Sequence, residues 1–154
     1  MEKLEYISEI TFVCTGNTCR SPMAEVYFRN LARENSQGVI KIQSAGIFGV
    51  AGSKASKFAM EVVGEENLSL NKFRSQPLTE KLVKDSSIIV AMTQSHLENI
   101  IQLYPIARDK TYTLMSFIGS NRDIVDPYGG SRDTYRSCYE KMKPALNALL
   151  RCIN

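Results

Sequence analysis

A strand, a tight polar loop and a helix follow one another in the first forty residues of the chain. Residues 7–13 are rich in apolar and β-branched side chains, which predicts a buried strand. Residues 14–20, CTGNTCR, are small and polar and predict a loop. Ser21 and Pro22 then predict a helix start, with serine as N-cap and proline at the first helical position. Such a unit is typical of a chain that crosses over between parallel strands.

Three further segments have the composition of strands: residues 39–44, 86–93 and 111–114. The run SSIIVAMT over residues 86–93 suits a strand that is buried on both faces of a parallel sheet. Strands that alternate with helices predict an α/β fold with a four-stranded parallel sheet and helices on both faces, in three layers. Ligands bind such folds at the carboxyl ends of the strands, which is where residues 14–20 lie.

Three more helices are predicted, over residues 57–66, from Ser95, and along an amphipathic C-terminal segment. Glu98, three residues after Ser95, completes a capping-box pattern. His96, at the start of this helix, is expected to be a surface histidine without a catalytic role. Pro144 predicts a kink or a break in the last helix.

Length and composition bound the class of protein. The 154 residues suit a single domain, residues 1–154, and the 44% hydrophobic content is that of a globular chain. No apolar run approaches the roughly 18 residues of a membrane span, and residues 1–5, MEKLE, lack the apolar core of a signal peptide. We therefore expect a cytoplasmic protein without a membrane partner. The 19 basic and 16 acidic residues are well mixed, which argues against a nucleic-acid partner.

The four cysteines are Cys14, Cys19, Cys138 and Cys152. In a cytosolic setting they are expected to be free thiols. No CxxC pair is present and the chain has one histidine, so no metal site is predicted. Cys138 and Cys152 fall on the apolar face of the last helix, where a thiol packs as a small hydrophobic group.

The loop over residues 14–20 has the features of an anion site that holds a nucleophile. Its backbone N–H groups and the following helix N-terminus attract a phosphate group. Gly16 is expected to supply a backbone conformation closed to other residues, and Arg20 a planar fork of donors for phosphate oxygens. The same positive potential favours the thiolate of Cys14, which is then a nucleophile facing a bound phosphoryl group. The loop lacks the Gly-Lys-Ser/Thr run of a nucleotide-binding P-loop.

The segment FVCTGNTCRSPMAE over residues 12–25 resembles the signature of the low-molecular-weight protein tyrosine phosphatase family. That family carries Cys-x5-Arg-Ser near its N-terminus and an Asp-Pro pair near its C-terminus, which is Asp126-Pro127 here. Other family-like segments are SAG, RSQPLT and AMT, at residues 44–46, 74–79 and 91–93. The resemblance covers almost the whole chain and implies the flavodoxin-like fold of these phosphatases.

The resemblance also implies a role for each site residue. Cys14 is the nucleophile that forms a phosphocysteine, Arg20 binds the phosphoryl oxygens, and Asp126 is first a general acid and then a general base. By the same resemblance, Ser21 hydrogen-bonds the thiolate and Asn17 braces the loop. The remaining residues expected to bind substrate are Thr15, Gly16, Thr18, Cys19 and Tyr128. No metal or cofactor is implied, and the partners are phosphorylated protein substrates.

Thr15 indicates which substrate is hydrolysed. The tyrosine-directed branch usually has a larger aliphatic residue after the cysteine, whereas the protein-arginine phosphatase branch reads CTGNTCRSP, as here. A threonine hydroxyl can accept a hydrogen bond from a guanidinium N–H group, and an aliphatic side chain cannot. Tyr128 is followed by two glycines where tyrosine-directed members often have a second aromatic residue, and Phe48 is another candidate for the pocket wall. The resemblance thus implies phosphoarginine hydrolysis, with phosphotyrosine as the alternative.

Other possibilities stay open at this point. Related arsenate reductases need two further cysteines in mid-chain, and none lies between Cys19 and Cys138. A phosphate-binding module without activity typically lacks the nucleophile or the acid, and both are present here. A small-molecule phosphatase is possible because the loop recognises only the phosphoryl group. A disulfide between Cys14 and Cys19 would inactivate the enzyme reversibly, which predicts redox regulation.

One position departs from the family pattern. Family members often have a histidine two residues before the serine that matches Ser75, and this chain has Phe73 there. A polar contact is therefore expected to be missing, which reduces the weight on Ser75 as a brace for the loop.

Overall fold

Four parallel strands form one sheet within residues 3–153, the part of the chain that the computed structural model describes. The strands are β1 (Glu9–Cys14), β2 (Lys41–Gly46), β3 (Ile88–Ala91) and β4 (Thr111–Thr113). Their order is β2-β1-β3-β4, and each neighbouring pair is parallel. This confirms the predicted sheet. The prediction that residues 1–5 lack the apolar core of a signal peptide includes Met1 and Glu2, which lie outside the described residues.

Five α-helices and two 3₁₀ helices accompany these strands in the same described range. The α-helices are α1 (Arg20–Glu34), α2 (Lys57–Gly64), α3 (Glu80–Asp85), α4 (Gln94–Leu103) and α5 (Arg132–Ile153). The 3₁₀ helices span Pro105–Lys110 and Leu114–Ile118. α3 and the 3₁₀ helices are additions to the predicted set, because such short elements show too little periodicity to be recognised.

Two hydrophobic cores lie on opposite faces of the sheet. Ile10 and Phe12 of β1 belong to one core and Val13 to the other, because successive residues of a strand point to opposite faces. α1, α2 and α5 cover the first face, and α3 and α4 cover the second. The three-layer α/β arrangement is therefore confirmed.

Strand β2 is displaced by two residues from the segment predicted over residues 39–44. Val39 is 94% exposed, and the strand extends to Gly46, which pairs with Cys14 of β1. Glycine is required at this end, since a Cβ on Gly46 would lie 2.6 Å from the carbonyl oxygen of Thr15. The close approach places the end of β2 directly against the loop that follows β1.

Two helix starts differ from the predicted ones. α1 has Cys19 as its N-cap, and Ser21 lies in the first turn, where its hydroxyl is engaged with the preceding loop. At α4 the N-cap is Thr93, whose hydroxyl accepts the backbone N–H of His96 at 3.0 Å. Thr93 precedes Ser95 in the chain, and its hydroxyl caps the helix by accepting the N–H of His96. The capping-box prediction at Ser95 was therefore wrong.

Helix α5 continues through Pro144 without interruption. The expected break is therefore wrong. Proline removes one N–H donor from the helix, whereas Met142 and Leu146 on either side of it are completely buried. Packing of this kind supplies most of the stability of a helix in a protein and outweighs the local cost of the proline.

Candidate active site

The loop between β1 and α1 leaves its backbone donors free. Within residues 3–153, no hydrogen bond uses the N–H groups of residues 16–20 as donors, and the side chain of the N-cap, Cys19, does not cap the first turn of α1. Free N–H groups at the start of a 15-residue helix attract an anion, and the helix dipole adds to this effect. The loop therefore offers the free donors that a phosphate-like group requires.

Asn17 shapes this loop. Its backbone is left-handed, with φ at +59°, a conformation that asparagine tolerates better than most residues. Gly16 does not adopt a positive φ, so the expectation that it supplies a glycine-only conformation was wrong. Asn17 is completely buried, and its Oδ1 accepts the backbone N–H of Gln76 at 2.9 Å. The asparagine thus ties the loop to the segment after α2.

A directed chain of hydrogen bonds ends at the Cys14 sulfur. Asn17 Nδ2 donates to Ser21 Oγ at 2.8 Å, and Ser21 Oγ lies 2.9 Å from Cys14 Sγ. Because Ser21 Oγ already accepts from the amide, its own proton is available to the sulfur. A hydroxyl that donates to sulfur stabilises the thiolate. The structure therefore places Asn17 and Ser21 behind the loop, against the sulfur and away from the cavity wall.

The same network continues away from the sulfur to a buried acidic residue. Asn17 Nδ2 also donates to Ser44 Oγ at 2.9 Å, and Ser44 Oγ donates to Glu25 Oε1 at 2.6 Å. Arg29 Nη2 pairs with Glu25 Oε2 at 2.6 Å. Ser44 comes from β2 and Glu25 from α1, so the neighbouring strand and the following helix both hold the conformation of the loop. Glu25 and Arg29 were not predicted as part of the site, because nothing in their local sequence distinguishes them from an ordinary helical ion pair.

Arg20 is buried at the first position of α1, with its guanidinium held by three groups. Nη1 donates to the carbonyl of Ile124 at 2.9 Å, and Nη2 donates to Thr15 Oγ1 at 3.4 Å. Nη2 also lies 3.6 Å from Asp126 Oδ2. Nε is buried and has no hydrogen-bond partner within residues 3–153. A fixed guanidinium with an unused donor suits an oxyanion ligand.

Eight residues line a cavity of about 230 Å³ at this end of the sheet: Cys14, Thr15, Gly16, Thr18, Cys19, Arg20, Asp126 and Tyr128. Asp126 is half exposed, and Tyr128 is 78% exposed at the rim. The sequence predictions for these residues therefore converge on one cavity. A larger groove of about 910 Å³ shares Asp126 but is lined by neither Cys14 nor Arg20. The smaller cavity is the candidate active site, because it alone of the two joins all three reactive groups.

Ser75 does not brace the phosphate loop, and Phe48 does not form a wall of the cavity. Ser75 Oγ bonds the Val50 carbonyl and the Ser53 N–H, so it holds its neighbouring loop and not the phosphate loop. The hydrogen bond to Asn17 comes from the backbone N–H of Gln76, the residue after Ser75. Phe48 is exposed and does not line the cavity, although its N–H donates to the Thr15 carbonyl at 2.9 Å.

His96 belongs to the site, contrary to the expectation of a surface residue. It is 6% exposed, and its Nε2 lies 2.8 Å from Thr15 Oγ1. The contact arises because β1 and β3 are neighbours, so the loop after β1 meets the start of the helix after β3. The available signal was the position of His96 just after the carboxyl end of a buried strand, where such folds build their sites.

Cys19 lies in the cavity wall beside two hydroxyl groups. Its sulfur is 2.9 Å from Ser56 Oγ and 3.3 Å from Tyr135 Oη. All four cysteines are free thiols, as expected, and Cys138 and Cys152 are buried in α5. Burial raises the pKa of Cys138 to about 12, which makes it a packing residue.

Two absences hold for the described part of the chain. Residues 3–153 contain no group of three His, Cys, Asp or Glu side chains that could hold a metal ion. Over the same range, no helix combines the length and apolar character that crossing a bilayer requires.

A buried cysteine and arginine on a phosphate-type loop, with an aspartate across the cavity, define a cysteine-dependent phosphatase site. The sequence profile described as low molecular weight phosphotyrosine protein phosphatase matches residues 9–154. The chain belongs to this family, as the sequence resemblance predicts.

Three similar proteins represent both substrate branches. The protein-arginine-phosphatase of Bacillus subtilis is 40% identical over 144 residues, covering 93% of this chain and 95% of that protein. A solved YwlE arginine phosphatase mutant with a phosphorylated active site serine has a TM-score of 0.89 at 39% identity, covering 93% of each chain. The tyrosine phosphatase AmsI of Erwinia amylovora has a TM-score of 0.88 at 30% identity, covering 97% of this chain and 95% of that one.

Proposed function

We propose that this chain is a protein phosphatase that hydrolyses phosphoarginine in proteins through a phosphocysteine intermediate. The observation that carries the proposal is the hydroxyl of Thr15, which lines the same cavity as Cys14, Arg20 and Asp126. The arginine phosphatases among the similar proteins support this substrate. The chain would act as one domain over residues 1–154, and four free thiols fit a reducing, cytoplasmic location.

The first chemical step transfers the phosphoryl group to the enzyme. The Cys14 thiolate attacks phosphorus, an S–P bond forms, and the P–N bond to the substrate guanidino group breaks. The departing nitrogen takes a proton from the Asp126 carboxylic acid. The hydroxyl of Ser21, 2.9 Å from the sulfur, stabilises the thiolate before attack. It has no negative charge on sulfur to stabilise once sulfur is bonded to phosphorus.

The second step returns the enzyme to its starting state. A water molecule attacks the phosphocysteine, and the Asp126 carboxylate takes one of its protons. The S–P bond breaks, inorganic phosphate leaves, and the Cys14 thiolate is restored. The phosphorylated active site serine in the YwlE mutant supports phosphoryl transfer to a side chain at this point of the fold.

Arg20 and the loop N–H groups stabilise the charge on the transferring group. The free backbone donors of residues 16–20 and the unused Nε of Arg20 can all bind the non-bridging oxygens. Because the loop is already held by Asn17, these donors need no reorganisation during the reaction. Preorganised donors of this kind make a large contribution to enzymatic rate enhancement.

Substrate selection depends on the group next to the phosphorus. A phosphoarginine presents N–H donors, and Thr15 Oγ1 and the carbonyl oxygen of the Asp126 carboxylic acid can accept them. Tyr128 at the rim can stack on the guanidinium plane. Phosphotyrosine is the second candidate substrate, favoured by the family description and by the tyrosine phosphatase AmsI among the similar structures.

Replacing Thr15 with isoleucine should shift the preference toward phosphotyrosine. The ratio of kcat/KM for phosphoarginine to kcat/KM for phosphotyrosine should fall on the order of a hundredfold, because the guanidinium loses its acceptor and meets a methyl group. The measurement is steady-state hydrolysis of two peptides that differ only in the phosphorylated residue. Thr113→Val, in β4 and outside the cavity, is the matched control and should change the ratio little. An unchanged ratio in Thr15→Ile would show that this residue only suits the turn.

We propose in addition that peroxide inactivates the enzyme reversibly through a disulfide. Peroxide oxidises the Cys14 thiolate to a sulfenic acid, and the Cys19 thiol then displaces water to form the S–S bond. Both cysteines line the same cavity, which supports this pairing. The bond would protect Cys14 from further oxidation until two thiols of a reductant reopen it.

The Cys19→Ser variant should lose this protection. Wild-type activity should return after peroxide and dithiothreitol treatment, whereas the variant should stay inactive because Cys14 proceeds to the sulfinic acid. Cys138→Ser is the control and should recover as the wild type does. Recovery to the same extent in Cys19→Ser, or no recovery in the wild type, would refute the proposal.

A further inference from the structure

His96 is a buried side chain with one ring nitrogen in use. Its Nε2 lies 2.8 Å from Thr15 Oγ1, whereas its Nδ1 is buried and has no hydrogen-bond partner within residues 3–153. The backbone N–H of His96 is fixed by the Thr93 hydroxyl at the N-cap of α4. The helix therefore fixes the backbone from which the ring projects, and the ring contacts the cavity lining through Thr15.

The imidazole is neutral at neutral pH. Burial lowers the pKa of His96 to about 4, and the charge of Arg20 acts in the same direction, whereas Asp123 and Asp126 oppose the shift. A neutral imidazole carries one proton, so Nε2 is either a donor or an acceptor toward Thr15. Which of these holds decides what the Thr15 hydroxyl can offer to a substrate.

Thr15 Oγ1 has one proton and two lone pairs to distribute. Arg20 Nη2 donates to it at 3.4 Å and, as a guanidinium, cannot accept its proton. If His96 Nε2 also donated, both lone pairs would be occupied and the hydroxyl proton would point at the substrate. A substrate guanidinium, which has only donors to offer, would then meet a proton.

We propose that His96 is a specificity-determining positioning residue whose Nε2 accepts the Thr15 hydroxyl proton and so leaves Oγ1 free to accept from the substrate guanidinium. One lone pair then takes the Arg20 N–H and the other takes the phosphoarginine N–H. The inference rests on the proposed function and adds a residue to it. His96 acts through Thr15 and has no contact with the transferring phosphoryl group.

The test compares three substitutions at this position with the Thr15 hydroxyl present or removed. His96→Leu should lower the ratio of kcat/KM for phosphoarginine to kcat/KM for phosphotyrosine about tenfold, which is the size of one lost hydrogen bond. His96→Gln, whose amide oxygen reaches the position of Nε2, should keep the ratio within about threefold of the wild type. His96→Asn is too short to reach Thr15 and should behave as His96→Leu does, which keeps the test valid if the leucine variant does not fold.

A double substitution tests whether His96 changes the kcat/KM ratio by acting on the Thr15 hydroxyl. In the Thr15→Val background, His96→Leu should leave the ratio where Thr15→Val alone puts it, because no hydroxyl remains to orient. An equal tenfold fall in that background would overturn the proposal, as would a His96→Leu variant that slows both substrates equally. A wild-type enzyme that prefers phosphotyrosine would overturn the proposed function itself. A wild type that prefers phosphoarginine, with a ratio insensitive to His96→Leu and His96→Asn, would overturn only this inference.

Discussion

Replacing Cys14 with serine should lower kcat for p-nitrophenyl phosphate at least on the order of 10³-fold. The Cys14 sulfur lies 2.9 Å from the Ser21 hydroxyl at the end of a buried network, and a serine hydroxyl in place of the cysteine is a far weaker nucleophile than a thiolate. The loop, Arg20 and the cavity remain, so phosphate should still bind. The measurement is steady-state turnover together with competitive inhibition of the wild type and binding of inorganic phosphate to the variant.

Cys152→Ala is the matched control for this experiment. Cys152 is a free, buried thiol in α5, far along the chain from the phosphate loop, and its removal should leave turnover within about twofold of the wild type. If Cys14→Ser kept a substantial part of the activity, the chemistry would not pass through a phosphocysteine. Loss of both turnover and phosphate binding would instead indicate that the loop had collapsed, and the thermal transition of the variant separates these cases.

Replacing Asp126 with asparagine should lower kcat for phosphoarginine on the order of 10²- to 10⁴-fold, the usual contribution of a general acid and base. An amide at this position can neither protonate the leaving nitrogen nor take a proton from the attacking water. The loss in kcat/KM, which reports on phosphoryl transfer to Cys14 and not on the later hydrolysis of the phosphocysteine, should be smaller for p-nitrophenyl phosphate, whose leaving group departs without protonation. A series of aryl phosphates with increasingly basic leaving groups measures this dependence.

Asp133→Asn is the control for the aspartate experiment. Asp133 is exposed at the start of α5 and pairs with Arg136, so its substitution tests the loss of one negative charge nearby without touching Arg20. It should leave kcat nearly unchanged. A defect in the kcat/KM of Asp126→Asn that is the same for good and poor leaving groups would contradict protonation of the leaving group by Asp126, and would point to the 3.6 Å contact with Arg20 as the reason.

The sheet and the phosphate loop could be predicted because local composition determines them. Residues 88–92 are apolar on both sides of the strand, and β3 is buried on both faces. Cys14 and Arg20 are brought together by a five-residue loop between a strand and a helix, so their proximity needs no knowledge of the rest of the fold. The same holds for Ser21, whose hydroxyl reaches the sulfur from the first turn of α1.

His96 could not be placed in the same way. Its contact with Thr15 joins residues 81 positions apart and depends on β1 lying beside β3, which alternation of strands and helices does not specify. The helix start was also predicted two residues late, at Ser95, so the histidine was assigned to a solvated first turn. Once Thr93 is the N-cap, the ring turns inward to the end of the sheet.

Two local predictions failed because tertiary contacts outweighed local preference. Gly16 was expected to take the unusual backbone conformation. Asn17 takes a left-handed conformation instead, because the hydrogen bonds between its side-chain amide and Ser21 and Gln76 hold it there. Pro144 was expected to kink or break α5, and packing of the residues around it keeps the helix unbroken. Both outcomes are examples of packing and buried hydrogen bonds overriding single-residue propensity.

The substrate preference of the wild-type enzyme distinguishes a phosphoarginine phosphatase from a phosphotyrosine phosphatase. One peptide sequence is prepared with phosphoarginine and with phosphotyrosine at the same position, and kcat/KM is measured for both in the same buffer. We predict a preference for phosphoarginine of at least a hundredfold, which corresponds to about 2.7 kcal/mol of transition-state discrimination. A preference for phosphotyrosine would contradict the proposed substrate and the role of Thr15 and His96, while the nucleophile, the loop and the two-step mechanism would stand.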